Sequence, residues 1–173
     1  MKAIIFTDGS SKGNPGPGGW GAIIGFYEGE EKKVREIGAR EVDTTNNRME
    51  MTAVIEGLSF VKENASDSEI TLYTDSEYVK KGATEWITGW QKNNWRTAAR
   101  KDVLNKDLWQ RMLETMKGLN IKWQVVPGHA GVPANERCDV IATSFADGIH
   151  PGLYDGPYAD YKVSFDIKPR GQK

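Results

Sequence analysis

Cysteine occurs once in this 173-residue chain, at Cys138, so no intrachain disulfide can form and a reducing compartment is expected. Long apolar runs are missing as well. The N-terminus offers only the four apolar residues Ala3 to Phe6 before polar residues begin, too few for a signal-peptide core, and no later stretch approaches a membrane span. A cytoplasmic protein without membrane contact is the expectation. Excess charge of one sign is absent too: the formal net charge is −1, which argues against a protein that coats nucleic acid through bulk charge. What remains, 38% hydrophobic and 27% charged residues, is the composition of a soluble globular protein, long enough for one domain with a substantial core.

The small net charge conceals a local imbalance. Between Lys80 and Lys101 stand Lys80, Lys81, Lys92, Arg96, Arg100 and Lys101 against the single acidic Glu85, and Trp86, Trp90 and Trp95 fall in the same window. Cations interleaved with aromatic rings suit a surface that follows a phosphate backbone. Trp86 and Trp90 are also four residues apart, the spacing of an amphipathic helix packing its rings inward. Both readings stand at this point.

Apolar patterning alternates between strand and helix. Residues 2–8, Trp20 to Tyr27 and Lys33 to Val42 read as three strands, the second and third joined by the polar turn EGEE. The stretch TTNNRMEMTAVIEGLSFVKEN follows with a 3.6-residue period, Thr45 as its N-cap and Val54, Leu58 and Val61 on one face. Residues 69–75 form a fourth strand, 76 to about 117 a helical stretch broken by glycine, Ile121 to Val126 a fifth strand, and Pro133 leads a last helix. This order predicts an α/β fold: a five-stranded mixed sheet, three antiparallel strands followed by parallel ones, flanked by helices.

The strand ends carry the chemistry. FTDGS places Asp8 at the end of the first strand, and YTDSE places Asp75 at the end of the fourth. One such aspartate is ordinarily a turn starter or a cap. A strand–helix–strand connection makes the two strands parallel neighbours, so both carboxylates open on one edge of the sheet, where binding sites of α/β sheets lie. Glu50, early in the connecting helix, leans towards Asp8, although Asn47 and Glu50 also have the spacing of a capping box. Asp139 in the last helix is by itself an ordinary solvated residue. Carboxylates gathered together require raised pKa values or bound divalent cations, and an oxygen-only set without histidine or cysteine clusters favours Mg²⁺ over Zn²⁺.

In this order FTDGSSKGNPGPGGWGAI, TTNNRMEMTA, YTDSEYV and GHAGVPANERCD, together with the tryptophan-rich TEWITGWQKNNWRTA and DLWQRM, resemble type-1 ribonuclease H in its bacterial ribonuclease HI form, from about residue 2 to about residue 147. The resemblance implies a ribonuclease H-like fold and an endonuclease that cuts the RNA strand of RNA–DNA hybrids, leaving 5′-phosphate and 3′-hydroxyl ends. By matched position it implies a metal-binding catalytic quartet of Asp8, Glu50, Asp75 and Asp139 holding two Mg²⁺ ions, for which Mn²⁺ substitutes, and a proton-transfer role for His129. It further implies hybrid contacts at Asn14, Asn46 and Asn47, a DNA-phosphate contact at Thr45, and a substrate surface built from Trp86, Trp90, Lys92, Arg96 and Arg100. A monomer acting on hybrid, with no membrane partner, is expected.

Several positions depart from the family pattern. Glu77 stands where many bacterial relatives carry glutamine, an added anion at a substrate-contacting position. Gln91, Asn93 and Asn94 dilute the basic segment. Residues 148–173 continue past the resemblance; their glycines, prolines and tyrosines read as a loop, and the alternation of Val163, Phe165 and Ile167 reads as a short strand docked on a catalytic domain of residues 1–147. Two other classes compete on single features: an actin-like ATPase, which shares Asp-Gly-Ser after a strand, and a non-catalytic hybrid-binding module, which needs the basic segment and not the carboxylates.

Overall fold

The computed structural model of the chain describes residues 1–126 and 131–168. β1 (Lys2–Ser11), β2 (Gly16–Glu28) and β3 (Glu31–Thr44) form an antiparallel meander. β4 (Glu69–Thr74) joins β1 in parallel and β5 (Asn120–Val125) joins β4 in parallel. α1 (Asn46–Asn64) makes the crossover from β3 to β4; Thr45 caps it, its hydroxyl accepting the Arg48 N–H at 3.2 Å. The capping-box alternative therefore fails, and Glu50 is released for another role.

The sheet has six strands, not five, in the order β5-β4-β1-β2-β3-β6. The sixth, β6 (Asp155–Pro157), comes from the C-terminal extension and pairs antiparallel with Lys33–Arg35. A segment holding glycine and proline has poor strand propensity, and an outer strand tolerates proline because one of its edges needs no donor. Residues 161–168 form no strand. Phe165 instead packs on Phe6 with ring centroids 5.4 Å apart, while Ile167 remains 39% exposed.

Two apolar layers sandwich the sheet. On one face α1 buries Val54, Leu58 and Val61 against Ile5, Ile24 and Leu72, together with Trp109 and Met112 of α4 (Lys106–Met116). On the other, α5 (Pro133–Ala146) buries Cys138 and Ile141 against Phe6, Ile23 and Val34, and the tyrosines of the extension extend that layer. Each such aliphatic side chain contributes about 1.5–3 kcal/mol when fully buried.

The helical stretch expected from 76 to 117 is interrupted. α2 (Glu77–Lys81) runs through a π turn (Gly82–Trp86) into α3 (Ile87–Lys92), and a loop then reaches α4. Asn94, Trp95, Arg100 and Asn105 adopt left-handed backbone, which no helix propagates. The glycine at 82 serves packing: a Cβ there would overlap the Trp109 ring. Gly82→Ala is expected to cost about 2 kcal/mol through overpacking and to lower the melting temperature by about 4–8 °C, read by circular dichroism.

Candidate active site

Parallel pairing sets the site. Phe6 lies opposite Tyr73, so Asp8 and Asp75, each two residues further along, emerge level with one another at the carboxyl ends of β1 and β4. Gly9 brings in the third acid. A Cβ at Gly9 would overlap the backbone of Met49 and Glu50, so only glycine lets the first turn of α1 press against β1. Gly9 therefore serves this close approach. One carboxylate oxygen from each of Asp8, Glu50 and Asp75 lies within 4.8 Å of the others.

These acids are held under electrostatic tension. Asp8 and Glu50 are 4% and 7% exposed. Burial first, and the Asp75 charge second, push Asp8 up to about 7; Asp139 adds a smaller push, while a hydrogen bond to Glu50 and the Gly9 N–H at 2.9 Å oppose it. Glu50 is raised well above the usual carboxylate range by burial, then by the charges of Asp8 and Asp75, and its hydrogen bonds to both favour the protonated form. Glu50 Oε2 is buried with no hydrogen-bond partner among the described residues. A buried carboxylate oxygen without a donor, among like charges, suits a divalent cation. The donors are all oxygen and fit a hard ion.

Asp139 lies on α5 outside this close group, near enough for its charge to act on Asp8. His129 falls outside the described residues. Beside the acids, Asn14, Thr45, Asn46 and Asn47 line one groove of about 250 Å³ with Leu104 and Asn105. The Asn14 side-chain oxygen accepts the Asn46 N–H at 2.9 Å, and the Asn46 side-chain oxygen accepts the Ser11 N–H at 2.9 Å. Both amides are thereby oriented with their NH₂ groups making no hydrogen bond among the described residues. Leu104, 73% exposed, and Asn105 were not singled out by sequence reasoning. Asn105 stands directly ahead of α4 in left-handed backbone and donates its side-chain N–H to the Tyr78 hydroxyl at 3.1 Å, neither of which is written in the sequence.

The tryptophan-rich segment divides between inward packing and exposed cations. Trp90 packs inward on Trp109 with centroids 5.4 Å apart, while Trp86 tilts against Trp90 and stays 37% exposed. Lys92, Arg96 and Arg100 are exposed around a groove of about 590 Å³. Glu77 is exposed in the first turn of α2, two residues beyond Asp75.

The family model for RNase H matches residues 1–147. The chain belongs to the RNase H family. A ribonuclease H of Cyanothece sp. (strain PCC 7425 / ATCC 29141) is 52% identical over 149 residues, covering 86% of this chain and 92% of that protein. Among solved structures, LC9-RNase H1, a type 1 RNase H with the type 2 active-site motif, superposes with a TM-score of 0.77 at 25% identity, covering 99% of this chain and 96% of that one. LC11-RNase H1 in complex with an RNA/DNA hybrid shares the fold at a TM-score of 0.62 and 24% identity, covering 85% of this chain and 98% of that one. The RNase H family match ends where the extension begins, and Asp8, Glu50, Asp75 and Asp139 all fall inside it. No helix of the described residues is long and apolar enough to cross a membrane.

Proposed function

We propose that this chain is a cytoplasmic endoribonuclease that hydrolyses the RNA strand of RNA–DNA hybrids with divalent cations, Mg²⁺ first, leaving 5′-phosphate and 3′-hydroxyl ends. The observation that carries the reading is the buried triad of Asp8, Glu50 and Asp75 at adjacent parallel strand ends in a chain of the RNase H family. A module that only bound hybrid would derive nothing from burying two acids, and the family match over residues 1–147 leaves the actin-like ATPase without support.

Asp8, Glu50 and Asp75 would hold the ions, with Asp139 closing the set from α5. Bound there, two Mg²⁺ ions would supply an activated water and charge stabilisation at the leaving 3′ oxygen. His129, which precedes α5 in the sequence, is assigned proton transfer to the departing strand. The oriented amides of Asn14 and Asn46, with Asn47, donate to 2′-hydroxyls and base edges, the groups that distinguish RNA from DNA in a minor groove. Thr45, at the start of α1, faces a phosphate of the DNA strand. Trp86, Trp90, Lys92, Arg96 and Arg100 track the phosphates further along, and Glu77 weakens that attraction locally. LC11-RNase H1, solved with a hybrid, supports this fold as one that seats such a duplex. Residues 1–147 form the catalytic domain in this reading, and the protein acts as a monomer.

The test is cleavage of a labelled RNA–DNA hybrid beside duplex DNA and duplex RNA, with and without Mg²⁺. Metal-dependent cutting confined to the RNA strand of the hybrid is the expected result, and binding without cutting would leave only the binding-module reading. Replacing Lys92, Arg96 and Arg100 together by alanine is expected to raise KM about 10-fold at low salt, with kcat changed less, and to flatten the salt dependence of binding. An unchanged KM and salt slope would remove the basic segment from the substrate path.

A further inference from the structure

The C-terminal extension, which lies beyond the family match, grips the elements that carry the acids. Glu36 on β3 is 2% exposed and receives four hydrogen bonds. Arg137 of α5 donates to both its oxygens at 2.8 and 2.9 Å, the Tyr154 N–H at 2.9 Å and the Tyr161 hydroxyl at 2.7 Å. Arg137 also donates to the Gly152 carbonyl at 2.8 Å. The extension is thus tied through Glu36 to the helix that bears Asp139, two residues further on. At about 100° per residue, Arg137 and Asp139 project from nearly opposite sides of α5. One side is held by the extension, and the other bears the fourth acid.

A second contact reaches the other acids. Phe165 packs on Phe6, which stacks on Tyr73 with centroids 5.0 Å apart. Phe6 and Tyr73 stand two residues before Asp8 and Asp75 on the same strands. Tyr161 joins the two contacts, its hydroxyl on Glu36 and its ring 5.9 Å from that of Phe165. The extension therefore contacts both the strand that carries Asp8 and the helix that carries Asp139.

We infer that Tyr161 and Phe165 are positioning residues, which set the distance between Asp139 and the Asp8–Glu50–Asp75 triad and thereby the affinity of the site for divalent cations. The inference rests on the metal-dependent reading proposed above. A group bonded directly to a metal ligand typically changes metal affinity about 10–100-fold; these residues act one step further away, so a shift of about 5-fold is expected.

The experiment uses the full chain as Tyr161→Phe and Phe165→Leu, with Tyr154→Phe as control, because among the described residues the Tyr154 hydroxyl bonds only within the extension, to the Pro157 carbonyl at 2.7 Å. Mn²⁺ binding is measured by calorimetry without nucleic acid, and the Mg²⁺ concentration at half-maximal kcat, the KM for hybrid and the melting temperature are measured beside it. Expected are an approximately 5-fold weaker Mn²⁺ affinity and a matching rise in the Mg²⁺ midpoint for the first two variants, recovery of kcat at high Mg²⁺, and a KM within about 2-fold of the parent. The control is expected to lower the melting temperature without moving the metal response. Loss of melting temperature with metal affinity unchanged in all three overturns the inference and leaves the extension a stabilising strap. An unmodified protein that binds Mn²⁺ and does not cut hybrid overturns the functional reading instead, and the calorimetric comparison still decides the positioning role.

Discussion

Asp75→Asn is expected to reduce hybrid hydrolysis by on the order of 10³-fold or more, equivalent to at least ~4 kcal/mol of lost transition-state stabilisation. The substitution keeps the shape of the side chain and removes one of the charges that would hold a cation at the cluster. Because Asp75 stands at the end of a strand paired on both sides, the change should leave the fold in place, and circular dichroism of the variant should match the parent. The loss should appear in kcat more than in KM, because the basic segment proposed to engage phosphates lies on other elements. An Asp75→Asn protein retaining near-parental turnover would remove the triad from the chemistry.

Stability of the metal-free protein is expected to fall as pH rises from about 4 to 7. Asp8, pushed to about 7, and Glu50, pushed upward as well, hold protons in the folded chain that the unfolded chain releases at ordinary carboxylate values. Where the folded state binds more protons, raising pH destabilises it. Glu36 has the opposite sign: Arg137, Tyr161 and the Tyr154 N–H outweigh its burial and hold it low, so its contribution is lost only on acidification below the usual carboxylate range. A metal-free stability maximum near pH 4 follows from the two together. At pH 8 the unrelieved triad should cost on the order of a few kcal/mol, or roughly 5–10 °C in melting temperature. Millimolar Mg²⁺ should recover that loss at pH 8 and have little effect at pH 5. Asp8→Asn should raise the metal-free melting temperature at pH 8 while abolishing the response to Mg²⁺. Thermal denaturation across this range checks both arms; a flat profile together with a destabilised Asp8→Asn would show that the acids are not mutually repelling.

Asp8, Glu50 and Asp75 were legible in the sequence because alternation of strand and helix is itself a spatial statement: a right-handed crossover sets two strand ends side by side. The reason for Gly9 was not, since a glycine near a turn carries the same letter as a glycine under a helix. β6 escaped because its residues have little strand preference and pair only where β3 and Glu36 receive them. The loop before α4 escaped because left-handed asparagines look like helix-tolerated polar residues until their backbone is seen. Arg137 and Glu36 lie 101 residues apart, and no local pattern joins one of the three glutamates of β3 to the arginine of α5.

The outer edge of β3 has one more consequence. β6 covers Lys33 to Arg35, and beyond it Arg40, Glu41, Val42 and Asp43 stand exposed on the same strand, with Val42 73% exposed. A bare strand edge with an apolar side chain invites a neighbouring molecule to continue the sheet, and charges flanking it discourage that. Glu41 and Asp43 are therefore expected to oppose self-association through this edge, a property of the population that neither the melting curve nor the turnover of a single molecule would register.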